Sequence, residues 1–367
     1  MLAEFLYQFK EYFFGFNIFR YITVKAALAA VTALLFSMIV GPRIISMLKK
    51  HQIGEEIRIE GPSSHQRKKG TPTMGGLIVI ASICIGVLLW ANLSNIYVLL
   101  ILFSTLIMGL VGFLDDYLKT VKKMKKGLVS RYKLIGQIVL SLIIGSVIYL
   151  HPFFNGLHSN TSIPFFKNLE IDFGLYYIVF IVFIITGTSN AVNLTDGLDG
   201  LAAGLCAIAF LAFAGMSYVT GHTQFSDYLN IIYLPGSEEL TVFCMAAVGA
   251  SIGFLWYNTY PAQVFMGDTG SLALGSALGT VAVLIKKELL LAIIGGVFIS
   301  EVLSVIIQTT YFKYTRKKYG EGKRIFKMAP IHHHYELEGW HESKVVVRFW
   351  ITGILLALLS LATFKTQ

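Results

Sequence analysis

Apolar residues along this chain fall in long runs rather than in alternating stripes, and the runs are separated by short polar, basic or glycine-rich stretches. A helix needs about 17 to 25 mostly apolar residues to cross roughly 30 Å of hydrocarbon. Ten runs approach that length, at 21–40, 74–91, 96–114, 134–150, 175–189, 201–219, 240–256, 264–285, 289–311 and 345–364. The pattern predicts an all-α, polytopic membrane protein of about ten transmembrane helices, built as one integral membrane domain over residues 1–367. Ahead of the first run, residues 1–20 set Glu4 and Glu11 among aromatic residues. That is the pattern of a helix lying in the membrane interface, not of a cleavable signal.

Composition agrees with the pattern: 55% of residues are hydrophobic and only 14% charged, with a mean hydropathy of +0.67. Such a chain is too apolar for a soluble domain of this length. The three cysteines, Cys84, Cys206 and Cys244, lie inside apolar runs and form neither a CxxC pair nor a disulfide framework. They read as packing residues.

A net charge of +9 admits two explanations, a nucleic-acid partner or the excess of Lys and Arg in cytoplasmic loops. Their distribution decides. Residues 41–73, 115–133 and 312–344, with Arg348 just beyond, hold 23 of the 30 Lys and Arg residues. These loops follow the first, third and ninth runs and therefore lie on one side. The positive-inside rule makes that side cytoplasmic, together with the connections near 190–200 and 257–268, and puts both termini on the outer side. The charge reports topology, and no nucleic-acid partner is expected. Residues 122–126 are also basic enough to rest against anionic lipid head groups.

The acidic residues then sort by side. Asp115 and Asp116 end the third run, Asp196 and Asp199 follow the fifth, and Asp268 opens the eighth, all on the basic face. Asp227, Glu238 and Glu239 fall on the other side, in segments that look merely solvated. Each aspartate alone has an ordinary reading, as a solvated helix end, a turn residue or an N-cap. Converging from three span ends, they would repel one another unless cations were bound. Mg2+ suits them, since it takes oxygen ligands from one or two carboxylates together with substrate phosphates. No Cys and His spacing suggests zinc. The loop around His332, His333 and His334, flanked by Lys323, Arg324, Lys327 and His341, reads as facing an anion. Glu301 stands within the ninth run with no partner that the sequence names, and Gln308 lies seven residues on, along the same helical face.

The Asp115–Asp116 pair, Asn193-Leu-Thr-Asp-Gly-Leu-Asp-Gly200, Phe265-Met-Gly-Asp-Thr-Gly-Ser271 and the triple histidine together resemble the polyprenyl-phosphate N-acetylhexosamine-1-phosphate transferase family. Arg67-Lys-Lys-Gly-Thr-Pro-Thr-Met-Gly-Gly76 and Pro330-Ile-His-His-His-Tyr-Glu-Leu-Glu-Gly-Trp340 resemble its peptidoglycan branch. The resemblance covers nearly the whole chain. It implies a multi-pass protein of the bacterial plasma membrane whose active site opens to the cytoplasm. The implied reaction is transfer of phospho-N-acetylmuramoyl-pentapeptide from its UDP-linked donor to undecaprenyl phosphate, with Mg2+, giving UMP and lipid I in the first membrane step of peptidoglycan synthesis.

By the same resemblance, Asp115, Asp116, Asp268, His332 and His333 form the catalytic set, with Asp268 first among the metal ligands and Asp115 and Asp116 beside it. An alkyl phosphate is already mostly ionised at neutral pH, so positioning is favoured over proton abstraction for the aspartate pair. Asn193, Asp196 and Asp199, spaced three apart, would share one side of a helix and recognise the nucleotide-sugar. Asn258 and Phe265 join that pocket, the ring as a stacking surface for uracil. Lys69, Thr71, Lys133, Gln308 and His334 complete the substrate contacts. The implied partners are the nucleotide-sugar and the lipid phosphate, and a homodimer is compatible with the sequence. Two alternatives differ in kind. A related transferase would use UDP-N-acetylglucosamine, and a secondary transporter would show an internal repeat with broken helices near the midplane, of which the key motifs show none.

Overall fold

The computed structural model describes residues 2–50, 70–124, 127–154, 156–164, 166 and 170–364. Each of the ten apolar runs coincides with a helix or a helix pair: α2 (Ile22–Lys50), α3 (Gly76–Trp90), α4 (Ile96–Thr120), α5 (Ser130–Leu150), α6 (Tyr176–Thr195), α7 (Leu201–Thr220), α9 (Glu239–Asn258), α10 (Gly267–Leu284), the pair α11 (Glu288–Ile294) and α12 (Gly296–Tyr319), and α14 (Glu342–Thr363). Shorter helices are α1 (Leu2–Gln8), α8 (Thr223–Leu229) and α13 (Ile331–Leu337), and one small hairpin pairs β1 (Asn160–Ser162) with β2 (Glu170–Asp172).

Among the described residues, seven helices are long and apolar enough to cross a membrane, namely α2, α4, α5, α6, α7, α9 and α14. The pair α11 and α12, bent by 80°, makes an eighth if counted as one span. The expected ninth span is thus broken, at Gly295 and Gly296, where two adjacent glycines are poor helix formers. The two remaining runs differ for reasons of composition. α3 has 15 residues, and α10 has 18 but is rich in Gly, Ser and Ala.

That composition is what makes α10 the central helix. Every residue from Thr269 to Leu284 is buried, packed on α4, α6 and α3. Small residues let backbones approach closely in a membrane bundle, and here the approach is tight. A Cβ added to Gly112 of α4 would fall 2.2 Å from the carbonyl oxygen of Asp268, and one on Gly76 would fall 2.1 Å from the nitrogen of Gly270. Ser104 of α4 adds hydroxyl contacts to Ser276 (2.6 Å) and Thr280 (2.8 Å). Around this core, α2 and α14 turn apolar side chains such as Val31, Leu35, Ile39, Ile351 and Leu355 outward, as lipid-facing helices do.

Several boundaries differ from the sequence expectation, and the differences matter for the site. α2 continues through Pro42 to Lys50, and α4 runs on to Thr120, so Asp115 and Asp116 lie within a helix rather than at its end. α5 begins at Ser130, which places Lys133 in its first turn. Residues 264–266 precede α10 instead of opening it: Phe265 N–H donates to the Pro72 carbonyl, and Gly75 N–H donates to the Phe265 carbonyl, each at 2.8 Å.

At the opposite end of the bundle, the expectation that Glu239 is merely solvated fails. Glu239 is buried, ion-paired with Lys25 of α2, and accepts the Asn92 N–H at 3.0 Å. Buried charges need partners, and the partner stands more than two hundred residues away in the sequence. Lys286, Lys287 and Glu288 are buried there too, with Glu288 held by Tyr177 and Lys287 donating to Ser162 Oγ at 3.0 Å.

Candidate active site

The two aspartates of α4 and the one in the first turn of α10 do meet. Carboxylate oxygens of Asp115, Asp116 and Asp268 all lie within 4.8 Å of one another. Asp116, 3% exposed, faces the start of α10. Its oxygens accept from Asp268 N (3.2 Å), Thr269 N (2.9 Å) and Thr269 Oγ1 (2.6 Å). The first N–H groups of a helix have no partner within it and attract negative charge, so Asp116 caps α10 from a neighbouring helix. Gly267, at φ +72°, makes the turn that aims this helix start at Asp116, and a Cβ there would meet Asp116 Oδ2 at 2.6 Å.

Asp115 and Asp268 share two lysines. Asp115 accepts from Leu128 N (2.7 Å) and Lys133 Nζ (2.8 Å) and pairs with Lys119 one turn along α4. Asp268 accepts from Lys119 (3.1 Å), from Lys133, and from Asn193 Nδ2 (2.8 Å), which also reaches Ser271 Oγ at 2.8 Å. Three adjacent carboxylates would repel one another. The two ammonium groups sit between Asp115 and Asp268, where the field calls for positive charge. A cluster of carboxylate oxygens with an amide beside it is a hard-oxygen donor set of the kind Mg2+ takes, so the residues present fit that ion.

The 190–200 stretch forms a second wall, with a geometry unlike the helical face expected. α6 ends at Thr195, so Asn193, Asp196 and Asp199 do not share one side. Asn193 turns to Asp268. Asp199 is buried and turned the other way: its Oδ2 accepts Ala262 N at 3.0 Å, and its N–H donates to Glu342 Oε1 at 2.8 Å. Asn258 braces the same turn, accepting Gly200 N at 3.0 Å and donating to the Val264 carbonyl at 2.9 Å. Asp199 and Asn258 therefore hold the wall in shape, while half-buried Asp196 and Gly197 form its rim. Phe265 and Thr71, both half-buried, lie on the two segments that backbone hydrogen bonds join, 71–76 and 264–266. Lys69 falls outside the described residues.

The triple histidine, expected on a loop, forms the short helix α13. His332 is fully buried, with Nδ1 3.1 Å from Glu301 Oε2, so the partner that the sequence withheld for Glu301 is His332. His333 Nδ1 contacts Glu336 at 2.8 Å, and His334 Nδ1 accepts the Lys327 N–H at 3.2 Å. Gln308 is committed to backbone: its Oε1 accepts from Ile325 N and Phe326 N and its Nε2 donates to the Phe326 carbonyl, all at 3.0 Å. It clasps the segment leading to α13. Sequence reasoning passed over Lys119, Thr269 and Glu342. Lys119 was within reach, four residues after Asp115 on one helix face, whereas the other two depend on tertiary packing.

Comparison with known proteins adds an independent line. The glycosyl transferase family 4 model matches residues 98–286, a segment that contains the three clustered aspartates, Lys119, Lys133 and the 190–200 wall. The chain is 52% identical over 367 residues, 100% of both chains, to the phospho-N-acetylmuramoyl-pentapeptide-transferase of Thermodesulfovibrio yellowstonii. It is 53% identical over 353 residues, 96% of each, to the protein of the same name from Chloroherpeton thalassium. Against that from Chlorobium chlorochromatii it is 51% identical over 368 aligned positions, covering 99% of this chain and 100% of the relative.

Proposed function

The chain belongs to glycosyl transferase family 4 and groups there with the phospho-N-acetylmuramoyl-pentapeptide-transferases, and from this we propose that it transfers phospho-N-acetylmuramoyl-pentapeptide from UDP to undecaprenyl phosphate. An oxygen of the lipid phosphate bonds to the sugar-bearing phosphorus, the bond between that phosphorus and the bridging oxygen breaks, and UMP departs with the bridging oxygen. The product is lipid I. The observation that carries the proposal is the meeting of Asp115, Asp116 and Asp268 around Lys119 and Lys133, because this reaction brings three anionic phosphates together and its barrier is largely charge and alignment.

Mg2+, held by Asp268 with Asp115 and Asp116, would neutralise phosphate charge and fix the reacting groups in line. The remaining work falls to the chain. Lys119 and Lys133, shared between Asp115 and Asp268, are free to turn part of their charge to incoming phosphates. Asp116 keeps its cap on α10 and so fixes where Asp268 stands, a positioning role rather than proton abstraction. Asn193 holds Asp268 from the other side. Asp196, Thr71 and Phe265 line the approach for the nucleotide-sugar, Phe265 offering its ring to uracil, with Asp199 and Asn258 setting the wall behind them. His333 and His334 extend the site toward the sugar and peptide, with Lys69 a further phosphate contact. The apolar bundle surface admits the polyprenyl chain from the side, and the charge distribution supports a site on the cytoplasmic face of the bacterial plasma membrane with both termini outside.

The test is UMP release by the purified chain with Mg2+, undecaprenyl phosphate and UDP-N-acetylmuramoyl-pentapeptide. No release would refute the reading. Release with UDP-N-acetylglucosamine instead would place the chain with the other branch of transferases.

A further inference from the structure

Two ionisable side chains face each other where α12, α13 and the 196–200 turn meet. Glu301 on α12 and His332 on α13 are each 0% exposed. Nδ1 of His332 stands 3.1 Å from Glu301 Oε2, but off the hydrogen-bond direction. Neither carboxylate oxygen and neither ring nitrogen has a hydrogen-bond partner among the described residues. On the far side of the ring, a Cβ built on Gly197 would lie 2.3 Å from Nε2, so the imidazole is seated directly on the backbone of the wall that carries Asp196. The ring of His333 closes the stack, edge to face, with centroids 4.1 Å apart.

Buried polar groups are nearly always paired, and those left unpaired call for an explanation. A small rotation of the His332 ring turns its approach to Glu301 into a hydrogen bond, and active-site hydrogen bonds are often misaligned until substrate is bound. We propose that Glu301 is a positioning residue for the transfer reaction: it holds the proton on His332 Nδ1 and so fixes the ring, with Nε2 as an acceptor, against Gly197 and the nucleotide-facing turn. Which ring nitrogen carries the proton is set by the partner of the other, and among the described residues the Glu301 carboxylate is the group placed to set it. The pair also ties the broken span, through α12, to the turn that runs on from Asn193, itself bonded to Asp268. Loss of Glu301 therefore misaligns the reacting groups while leaving most nucleotide contacts in place, which lowers kcat more than it raises KM.

The inference rests on the transferase reading, and the test separates the two. Full-length wild type, Glu301→Gln, Glu301→Leu, His332→Gln and the double variant Glu301→Leu/His332→Gln are purified in detergent, and UMP release and melting temperature are measured on each. Glu301→Leu is expected to lower kcat about 10- to 100-fold, the scale for losing a group that orients a functional imidazole, with KM for the nucleotide-sugar within about threefold. Glu301→Gln recovers most of the loss, because its amide oxygen still accepts from Nδ1–H. In the His332→Gln background Glu301→Leu costs nothing further, since the two residues act as one unit. Equal losses in both backgrounds, a Gln variant no better than Leu, or a shift in melting temperature with kcat unchanged would each overturn the positioning role. Should the Leu variant fail to fold, Glu301→Ala in the two backgrounds gives the same comparison: a kcat loss that vanishes without His332 supports the role, and a loss that persists overturns it. A wild type that releases no UMP overturns the transferase reading and this inference with it.

Discussion

Asp116 and Asp268 stand in one cluster, yet the structure gives them different work, and substituting each by Asn separates the two. In Asp116→Asn the amide keeps one acceptor for the start of α10, but its NH2 then opposes a backbone N–H that the carboxylate had accepted. One buried donor without a partner costs about 1–3 kcal/mol, and loss of the charge facing a helix N-terminus adds about 0.5–1 kcal/mol. Relief of repulsion with Asp268 returns part of this, damped because Lys119 and Lys133 already offset the cluster. The net expectation is a loss of about 2 kcal/mol. The Asp268 carboxylate accepts from Asn193, Lys119 and Lys133, and in Asp268→Asn both lysines keep Asp115, so folding stability should change by less than about 1 kcal/mol. Both variants should lose UMP release. The assay is thermal unfolding in detergent followed by a thiol-reactive dye, because Cys206 and Cys244 are buried and react on opening. Asp116→Asn should melt clearly below wild type and Asp268→Asn near it. Equal melting temperatures for the two variants would refute the cap assigned to Asp116, and a larger drop for Asp268→Asn would reverse the roles.

Three further outcomes follow from the same geometry. Lys133→Met removes the ammonium that joins Asp115 to Asp268 and should cut kcat at least about tenfold, read from UMP release; activity within twofold would show that Lys119 suffices. Gln308→Ala frees the segment at Ile325 and Phe326 and should raise KM for the nucleotide-sugar more than it lowers kcat, whereas a pure kcat effect would assign Gln308 to the reaction itself. Glu239→Gln strands Lys25 at the far end of the bundle and should destabilise by about 3–5 kcal/mol, the scale for breaking a buried pair, with KM unchanged in whatever protein survives purification; an unaltered melting temperature would mean that the pair is not buried in the folded protein.

How much of this was legible beforehand depends on what kind of information each feature needs. The ten helical segments follow from local runs of apolar residues, and the convergence of Asp115, Asp116 and Asp268 follows from span counting, because residues at alternate span ends share a face of the membrane whatever the packing. What sequence periodicity leaves open is rotation about each helix axis and where a helix stops. Asn193 and Asp199 illustrate this: six residues apart, they were expected on one face, but α6 ends between them and the turn sends Asp199 inward to Ala262. Gln308 and Glu301 lie seven apart on one helix, yet one clasps backbone and the other faces a histidine thirty-one residues on. Glu239 shows the same limit at the far end of the bundle, since its exposure was judged from neighbours in sequence while its charge is answered by Lys25 on α2. Where a charged residue is buried, its partner is the informative quantity, and that partner is a property of packing. The composition of α10 was the one local clue to packing that went unread. Its Gly, Ser and Ala content marks a helix enclosed by others, and a helix so enclosed, with Asp268 in its first turn, is the natural place for helices from either side to bring Asp116 and Asn193 to one point.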